Sequence, residues 1–218
     1  MKSSADLRIV CISDTHGFHR ELEIPPGDIL IHAGDLLPDN NQVEALADLN
    51  DWLGSLPFKH RIAIAGNHDF LFAEKPSQAR KILTNAVYLE SSGIELMGLK
   101  FWGCPITPVA TRMAFTVERG ATSRKYWDRV PADTDVLITH SPPFRVLDME
   151  GPITSHLGCM DVTRTILRVK PRLHVFGHVH GGYGREEGPH GALCVNCASM
   201  ARLDGIKVGI RQPIVVEL

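Results

Sequence analysis

Short apolar runs, each closed by a polar, glycine-rich group, recur along this chain. Leu7 to Ser13 ends at Asp14, Asp28 to Ala33 at Gly34-Asp35, and Arg61 to Ala65 at Gly66-Asn67-His68. Farther on, Asp135 to Thr139 ends at His140 and Leu173 to Phe176 at Gly177-His178. The runs are nearly continuous in Val, Ile and Leu rather than alternating with polar residues, the pattern of strands buried on both faces. Helical periodicity fills several of the gaps. From Gln42 to Ser55, Val43, Leu46, Leu49, Leu53 and then Leu56 fall near one face, and Pro57 stops the helix. Pro76 to Leu83 and Asp161 to Val169 follow the same period. The second of these opens on an acidic residue and runs into Arg168, Lys170 and Pro171, which suits the helix dipole. After residue 190, LCVNCASM, IKVGI and PIVVEL read as strands separated by turns. The pattern is that of an α/β chain whose polar residues collect at the carboxyl ends of strands, where open α/β sheets bind ligands. No repeat, low-complexity tract or linker divides it, so residues 1–218 read as one domain.

Composition adds mainly exclusions. With 44% apolar and 22% charged residues, a sizeable core is affordable, and a formal net charge of -2 creates no field that would draw in nucleic acid or anionic lipid. No segment approaches the ~20 apolar residues of a membrane helix. The amino-terminal MKSSADLRIVCIS lacks the apolar stretch and cleavage site of a signal peptide. Five cysteines without framework spacing fit reduced thiols, and a cytoplasmic location is expected. Cys194 and Cys197 have C-x-x-C spacing inside a strand-like run, which reads as buried strand residues rather than a redox pair. Nothing in the sequence sets the oligomeric state.

The chemistry lies in five groups: Asp14-Thr15-His16, Gly34-Asp35, Gly66-Asn67-His68-Asp69, His140, and Gly177-His178-Val179-His180. Each follows a strand candidate and offers oxygen or imidazole nitrogen donors. In extended chain, residues two apart point to the same side, so Asp14 with His16 and His178 with His180 can face one site. Asp35 adds a carboxylate able to bridge two cations. Any one group alone is a weak signal, since a lone His-x-His is more often a pair of ordinary histidines than a metal site.

Taken in order, the groups match D-x-H, G-D, G-N-H-[DE], H and G-H-x-H, and the chain resembles the calcineurin-like metallophosphoesterases from Arg8 to about Ser199. CISDTHG, GDILIHAGD, IAIAGNHD, ITHSPP, RLHVFGHVHGGYG and VNCAS are similar to the metallophosphoesterase-domain-containing branch, itself similar to the class III cyclic-nucleotide phosphodiesterases. The resemblance implies a sandwich of two mixed β-sheets flanked by helices. It also implies one metal held by Asp14, His16, Asp35 and His180, and a second held by Asp35, the Asn67 amide oxygen, His140 and His178. His68 would contact the phosphate together with Asn67 and protonate the leaving oxygen, with Asp69 orienting its imidazole; histidine suits that work, its ordinary pKa lying near ~6.5.

Mixed nitrogen and oxygen donors suit manganese, iron, zinc or cobalt better than calcium but do not choose among the four. Affinity order favours zinc over manganese, availability decides in the cell, and manganese is the first expectation. Two divalent cations bring four positive charges and the two aspartates return two, leaving a site near about +2, suited to a phosphate oxygen and a bridging hydroxide. The expected activity is hydrolysis of a small-molecule phosphoester, a phosphodiester such as a cyclic nucleotide first. The alternatives are a phosphomonoesterase or protein phosphatase, and last a non-catalytic metal-binding scaffold. No Arg or Lys lies within the five groups to meet the second negative charge of a monoester, although Arg112 or Arg119, from the Arg- and aromatic-rich stretch Thr107 to Arg129, could supply one. That stretch otherwise reads as a solvated connector. Among the remaining histidines, His32 and His174 read as satisfied core groups or supports behind the ligands, and His19, His60, His156 and His190 as surface residues. Gly93 to Lys100 is no P-loop, because Leu99 breaks the Gly-Lys pair and no Ser or Thr follows.

Overall fold

The apolar runs become strands because each is covered on both faces. In a computed structural model describing residues 7–38, 42–108, 112–151, 155–203 and 206–218, β1 is Arg8–Ile12, β2 Ile29–Ala33, β3 His60–Ile64, β4 Val87–Tyr88, β5 Ser92–Leu96 and β6 Leu99–Cys104. They are followed by β7 Val136–Thr139, β8 Leu173–Phe176, β9 Gly184–Glu187, β10 Leu193–Asn196, β11 Met200–Leu203, β12 Ile206–Ile210 and β13 Ile214–Glu217. The helices are α1 Val43–Ser55, α2 Phe70–Glu74, α3 Pro76–Ile82, α4 Ala121–Trp127 and α5 Met160–Val169.

A five-stranded sheet has the order β13-β1-β2-β3-β4, and a six-stranded sheet the order β5-β6-β7-β8-β10-β9. Both are mixed. In the first, β1 to β4 run parallel and β13 pairs antiparallel with β1. In the second, β6, β7, β8 and β10 run parallel, with antiparallel β5 and β9 at the edges. Ile9, Ile29, Ile31, Ile62 and Ile64 of the first sheet pack on Val136, Ile138, Leu173, Val175 and Val195 of the second. On the outer face of the first sheet, Val10, Ile12 and Leu30 meet Leu46, Leu49 and Leu53 of α1. On the outer face of the second, Leu137 meets Trp127 of α4 and Val162 and Ile166 of α5. A strand covered this way must be apolar on both sides, which explains the uninterrupted runs. This is the two-sheet, helix-flanked α/β sandwich expected.

One expectation about elements changes. LCVNCASM is not one strand: β10 ends at Asn196, an isolated bridge joins Ala198 to Ser13 across the sheets, and β11 starts at Met200. Gly93 to Lys100 lies in the β5–β6 hairpin, turning through Met97 and Gly98 at φ 52° and 79°. All five cysteines are buried and free. No helix among the described residues is long and apolar enough to cross a membrane.

Candidate metal centre

Backbone conformation singles out the strand ends first. Asp14, His16, Asp35 and His178 all have positive φ, at 53°, 44°, 52° and 68°. Left-handed backbone is uncommon outside glycine and, when it gathers at one place, marks a site the rest of the fold holds under strain. The turns are laced together: Asp14 N–H donates to Gly34 O at 2.8 Å and His16 N–H to Asp35 O at 3.0 Å. Gly177 is required by contact, because a Cβ there would collide with the Asp14 carboxylate and the Ser13 side chain.

The side chains converge from both sheets. The Asp14 carboxylate accepts His178 N–H at 3.0 Å and lies 3.2 Å from His180 Nε2. Asp35 Oδ1 accepts His68 N–H at 2.8 Å, while Oδ2 sits 3.3 Å from His140 Nε2 and 3.6 Å from His16 Nε2. His140 Nε2 is also 3.0 Å from the Asn67 amide oxygen. Donor atoms of Asp14, His16 and His180 lie within 4.8 Å of one another, as do those of Asp14, Asp35 and His140. The His178 ring stands 5.1 Å from that of His140.

These residues fit cations on three counts. Both ring nitrogens of His16 and Nδ1 of His180 are buried without a hydrogen-bond partner among the described residues, a costly state unless something else binds them. His140 is 0% exposed, and its Nδ1–H donates to Ala33 O at 2.9 Å, which in the neutral imidazole leaves the Nε2 lone pair free for a cation on the side of Asp35 and Asn67; histidine ligands are commonly oriented this way. Finally, Asp14 and Asp35 are buried carboxylates. Burial alone would raise them, yet His180 and His140 hold Asp14 below the ordinary carboxylate range, and His140 and His16 hold Asp35 well below it. Burial would depress His140 too, but the Asp35 charge and hydrogen bond push it up to about 10. His178 is driven down to about 4 by burial and by the charge of His140. A buried pair of anions demands positive charge, and an imidazole proton supplies it where a cation would.

A cavity of about 280 Å³ opens over the centre, lined by His16, Asp35, Asn67, His68, His178 and also Glu150. Glu150 carries no motif and was missed from sequence. The clue was the Gly181-Gly182 pair after His-x-His, against which the loop bearing Glu150 packs. The Asp69 carboxylate, beside His68 in the chain, accepts N–H from Leu36, Leu37 and Gly66 at 3.0, 3.0 and 2.7 Å. It ties the loops after β2 and β3 together. Burial and then the Asp35 charge push it up to about 7 against the pull of those N–H groups.

His32 and His174 are core groups as expected, bonded through Nε2 to Thr15 and Thr139 at 2.9 and 2.8 Å. His19 is not a surface residue. It is 2% exposed, 3.1 Å from Asp48 and packed on the Trp52 ring. His60 and His156 are half-buried and only His190 is exposed. The Arg-rich stretch meets the centre through Met113, whose sulfur is 3.3 Å from the Asn67 amide nitrogen, and Ala114, whose N–H donates to Asn67 O at 3.1 Å. Arg112 is exposed, and Arg119 is bound to the carbonyls of Leu157 and Gly158 at 2.8 and 2.7 Å.

Comparison with known proteins agrees with this geometry. The profile of the calcineurin-like phosphoesterase family matches residues 7–182, and the chain belongs to that family. It is 37% identical over 201 residues to human metallophosphoesterase domain-containing protein 1, covering 81% of this chain and 61% of that one. To the Caenorhabditis elegans UPF0046 protein K07C11.7 it is 36% identical over 192 residues, covering 82% and 65%. The chain thus spans less than two thirds of the length of these relatives. Among solved structures, TT1561 of Thermus thermophilus shares the fold, with a TM-score of 0.64 at 16% identity over 89% of this chain and 91% of that one.

Proposed function

We propose that this chain hydrolyses a small phosphodiester, such as a cyclic nucleotide, at a centre of two divalent cations, manganese first. Asp14, His16, Asp35 and His180 would hold one cation, and Asp35, Asn67, His140 and His178 the other. The observation that carries the reading is the set of buried imidazole nitrogens, without hydrogen-bond partners among the described residues, facing two buried carboxylates beneath an open cavity. When bound, such a pair of cations supplies an activated water at neutral pH and neutralises charge on phosphoryl oxygens.

The chain's own residues do the rest. Asp35 fixes the His68 backbone through its N–H, which sets the His68 side chain at the cavity wall. There His68 is positioned to contact a phosphate and give a proton to the departing oxygen. Asn67 is pinned between His140, Met113 and Ala114, so its amide is oriented before substrate arrives. Asp69 acts on this site by positioning the loops that carry Asp35 and His68. The scaffold reading is disfavoured because every expected ligand residue is present.

A manganese-reconstituted screen over diesters, cyclic nucleotides and monoesters tests the proposal. Bis-p-nitrophenyl phosphate should have a higher kcat/KM than p-nitrophenyl phosphate, and 2′,3′-cyclic nucleotides should be cleaved at least as well as 3′,5′-cyclic ones. A preference for monoesters would turn the reading to a phosphomonoesterase.

A further inference from the structure

One acidic side chain in the cavity wall has no place among the metal ligands. Glu150 lines the cavity with His16, His68 and His180, and its Oε2 accepts Gly181 N–H at 2.9 Å, next to His180 in the chain. The loop that carries it is built to hold this position. Leu147 O accepts the Asn196 side-chain N–H at 3.0 Å, and the same amide donates to Val179 O at 2.8 Å, so one side chain fastens the loop to the His-x-His turn. Asp148 closes the loop on itself, accepting N–H from Arg145 and Gly158 at 2.9 and 3.0 Å and meeting His156 Nδ1 at 2.7 Å. Arg145 and Leu147 take left-handed backbone at φ 67° and 49° to make the bend.

The approach is close enough to require glycine opposite it. A Cβ on Gly181 would lie 2.6 Å from Met149 O and 3.0 Å from Glu150 Cα, and one on Gly182 would run into Leu147 O. The Gly-Gly pair after His-x-His is therefore there to admit this loop. No Arg or Lys among the described residues lines the cavity. Arg119 is committed to the carbonyls of Leu157 and Gly158, and Arg211 to those of His180, Ala198 and Met200.

We infer that Glu150 selects substrates by charge: it is a fixed carboxylate that disfavours doubly charged phosphate groups and admits singly charged diesters. This rests on the phosphodiester reading above and names its basis. Two divalent cations with Asp14 and Asp35 leave about +2; a hydroxide would take one charge and a protonated His68 return it, and Glu150 brings the sum to about +1, which one phosphodiester charge neutralises. A phosphomonoester carries a second negative charge above its ionisation near pH ~6, and that charge meets Glu150 with no Arg or Lys among the described residues of the cavity wall to offset it.

The test compares metal-loaded wild type with Glu150→Gln, which keeps an oxygen for Gly181 N–H. Calorimetry at about pH 8, where inorganic phosphate is mostly a dianion, needs no turnover. The variant should bind phosphate about tenfold tighter than wild type while dimethyl phosphate affinity stays within about twofold. In hydrolysis, the kcat/KM ratio of p-nitrophenyl phosphate to bis-p-nitrophenyl phosphate should rise by a similar factor. Metal content, measured by plasma emission, should be the same in both proteins. An unchanged phosphate-to-dimethyl-phosphate binding ratio overturns the inference. So does loss of metal in the variant, which would make Glu150 a ligand. If neither ester is hydrolysed but the binding ratio shifts as stated, the phosphodiesterase reading fails and charge selection by Glu150 stands.

Discussion

The two sheets contribute unlike things to the centre. The first, through the turns after β1, β2 and β3, brings Asp14, His16, Asp35, Asn67 and His68: both carboxylates, the amide and two imidazoles. The second, through β7 and β8, brings His140, His178 and His180, so its share of the proposed ligands is imidazole alone. Neither could hold the proposed pair of cations by itself, and the first sheet alone would bury two negative charges with little to balance them. Each proposed cation takes ligands from both sheets, so the centre works as a joint between the layers. Beneath it the sheets use the same support. In the first, His32 bonds Thr15 and the Thr15 hydroxyl donates to Leu36 O at 3.3 Å. In the second, His174 bonds Thr139 and its hydroxyl donates to Ser141 O at 2.7 Å. A strand histidine thus steadies a ligand-bearing turn on each side, beside Asp35 in one sheet and His140 in the other. The sheets differ in the chemistry they present and share the means of holding it.

The sharpest way to break this picture is to remove the carboxylate proposed to serve both cations. Asp35→Ala should cost at least about 10³-fold in kcat, since several kcal/mol of charge stabilisation go with the cations. Metal content should fall with it. Full activity with about two metals per chain in that variant would end the dinuclear assignment.

His68 belongs to the first sheet but is proposed to act on substrate rather than on metal. His68→Ala should therefore keep its metals and lose about 10²–10⁴-fold in rate on esters with poor leaving groups. The loss should be much smaller on p-nitrophenyl esters, whose leaving group hardly needs a proton. Equal losses on both would assign His68 to phosphate positioning instead.

If cations join the sheets, chelation should loosen them. Saturation at about a thousand times Kd is worth about 4 kcal/mol, so chelation should lower Tm by roughly 10 °C for a chain of this size. Scanning calorimetry with and without EDTA measures it; His140→Ala, which touches one proposed cation, should shrink the difference, and Asp35→Ala, which touches both, should remove it. A Tm indifferent to chelator would mean that apolar packing alone holds the layers.

The smallest effect sharpens the shared support. His174 is buried and its pKa is depressed by that burial from 6.5 to about 3, so the folded protein keeps it neutral. Unfolded chains take up the proton below 6.5 and the folded protein does not, so this linkage costs nothing above that pH and destabilises the fold increasingly as pH falls toward 3. It amounts to about 1 kcal/mol per pH unit. Replacing His174 with Gln should flatten the fall in Tm between about pH 6.5 and 5 by roughly 2–4 °C per pH unit. An unaltered slope would show that the acid sensitivity lies elsewhere.

What could be read in the sequence was what the chain encodes locally. Strand β8 has the limits its apolar run predicts, and α1 and α5 differ by one residue at the start. Ligand types and spacings were visible because a turn at a strand end needs only a few neighbouring residues to define it. The same motifs, read as a family resemblance, led to the sandwich. What only the tertiary structure decided were contacts between segments far apart in the chain. His19 looked like a surface residue until Asp48 and Trp52 of α1 covered it. Asp69 sits beside His68 in sequence, yet its carboxylate turns to the backbone N–H groups of Leu36 and Leu37. Glu150 has no local signature at all; it reaches the cavity because Asn196 and two glycines let its loop land there. Periodicity and turn chemistry report how each segment meets solvent and core. Which distant segment fills the space opposite is set by packing, and no single stretch of sequence contains it.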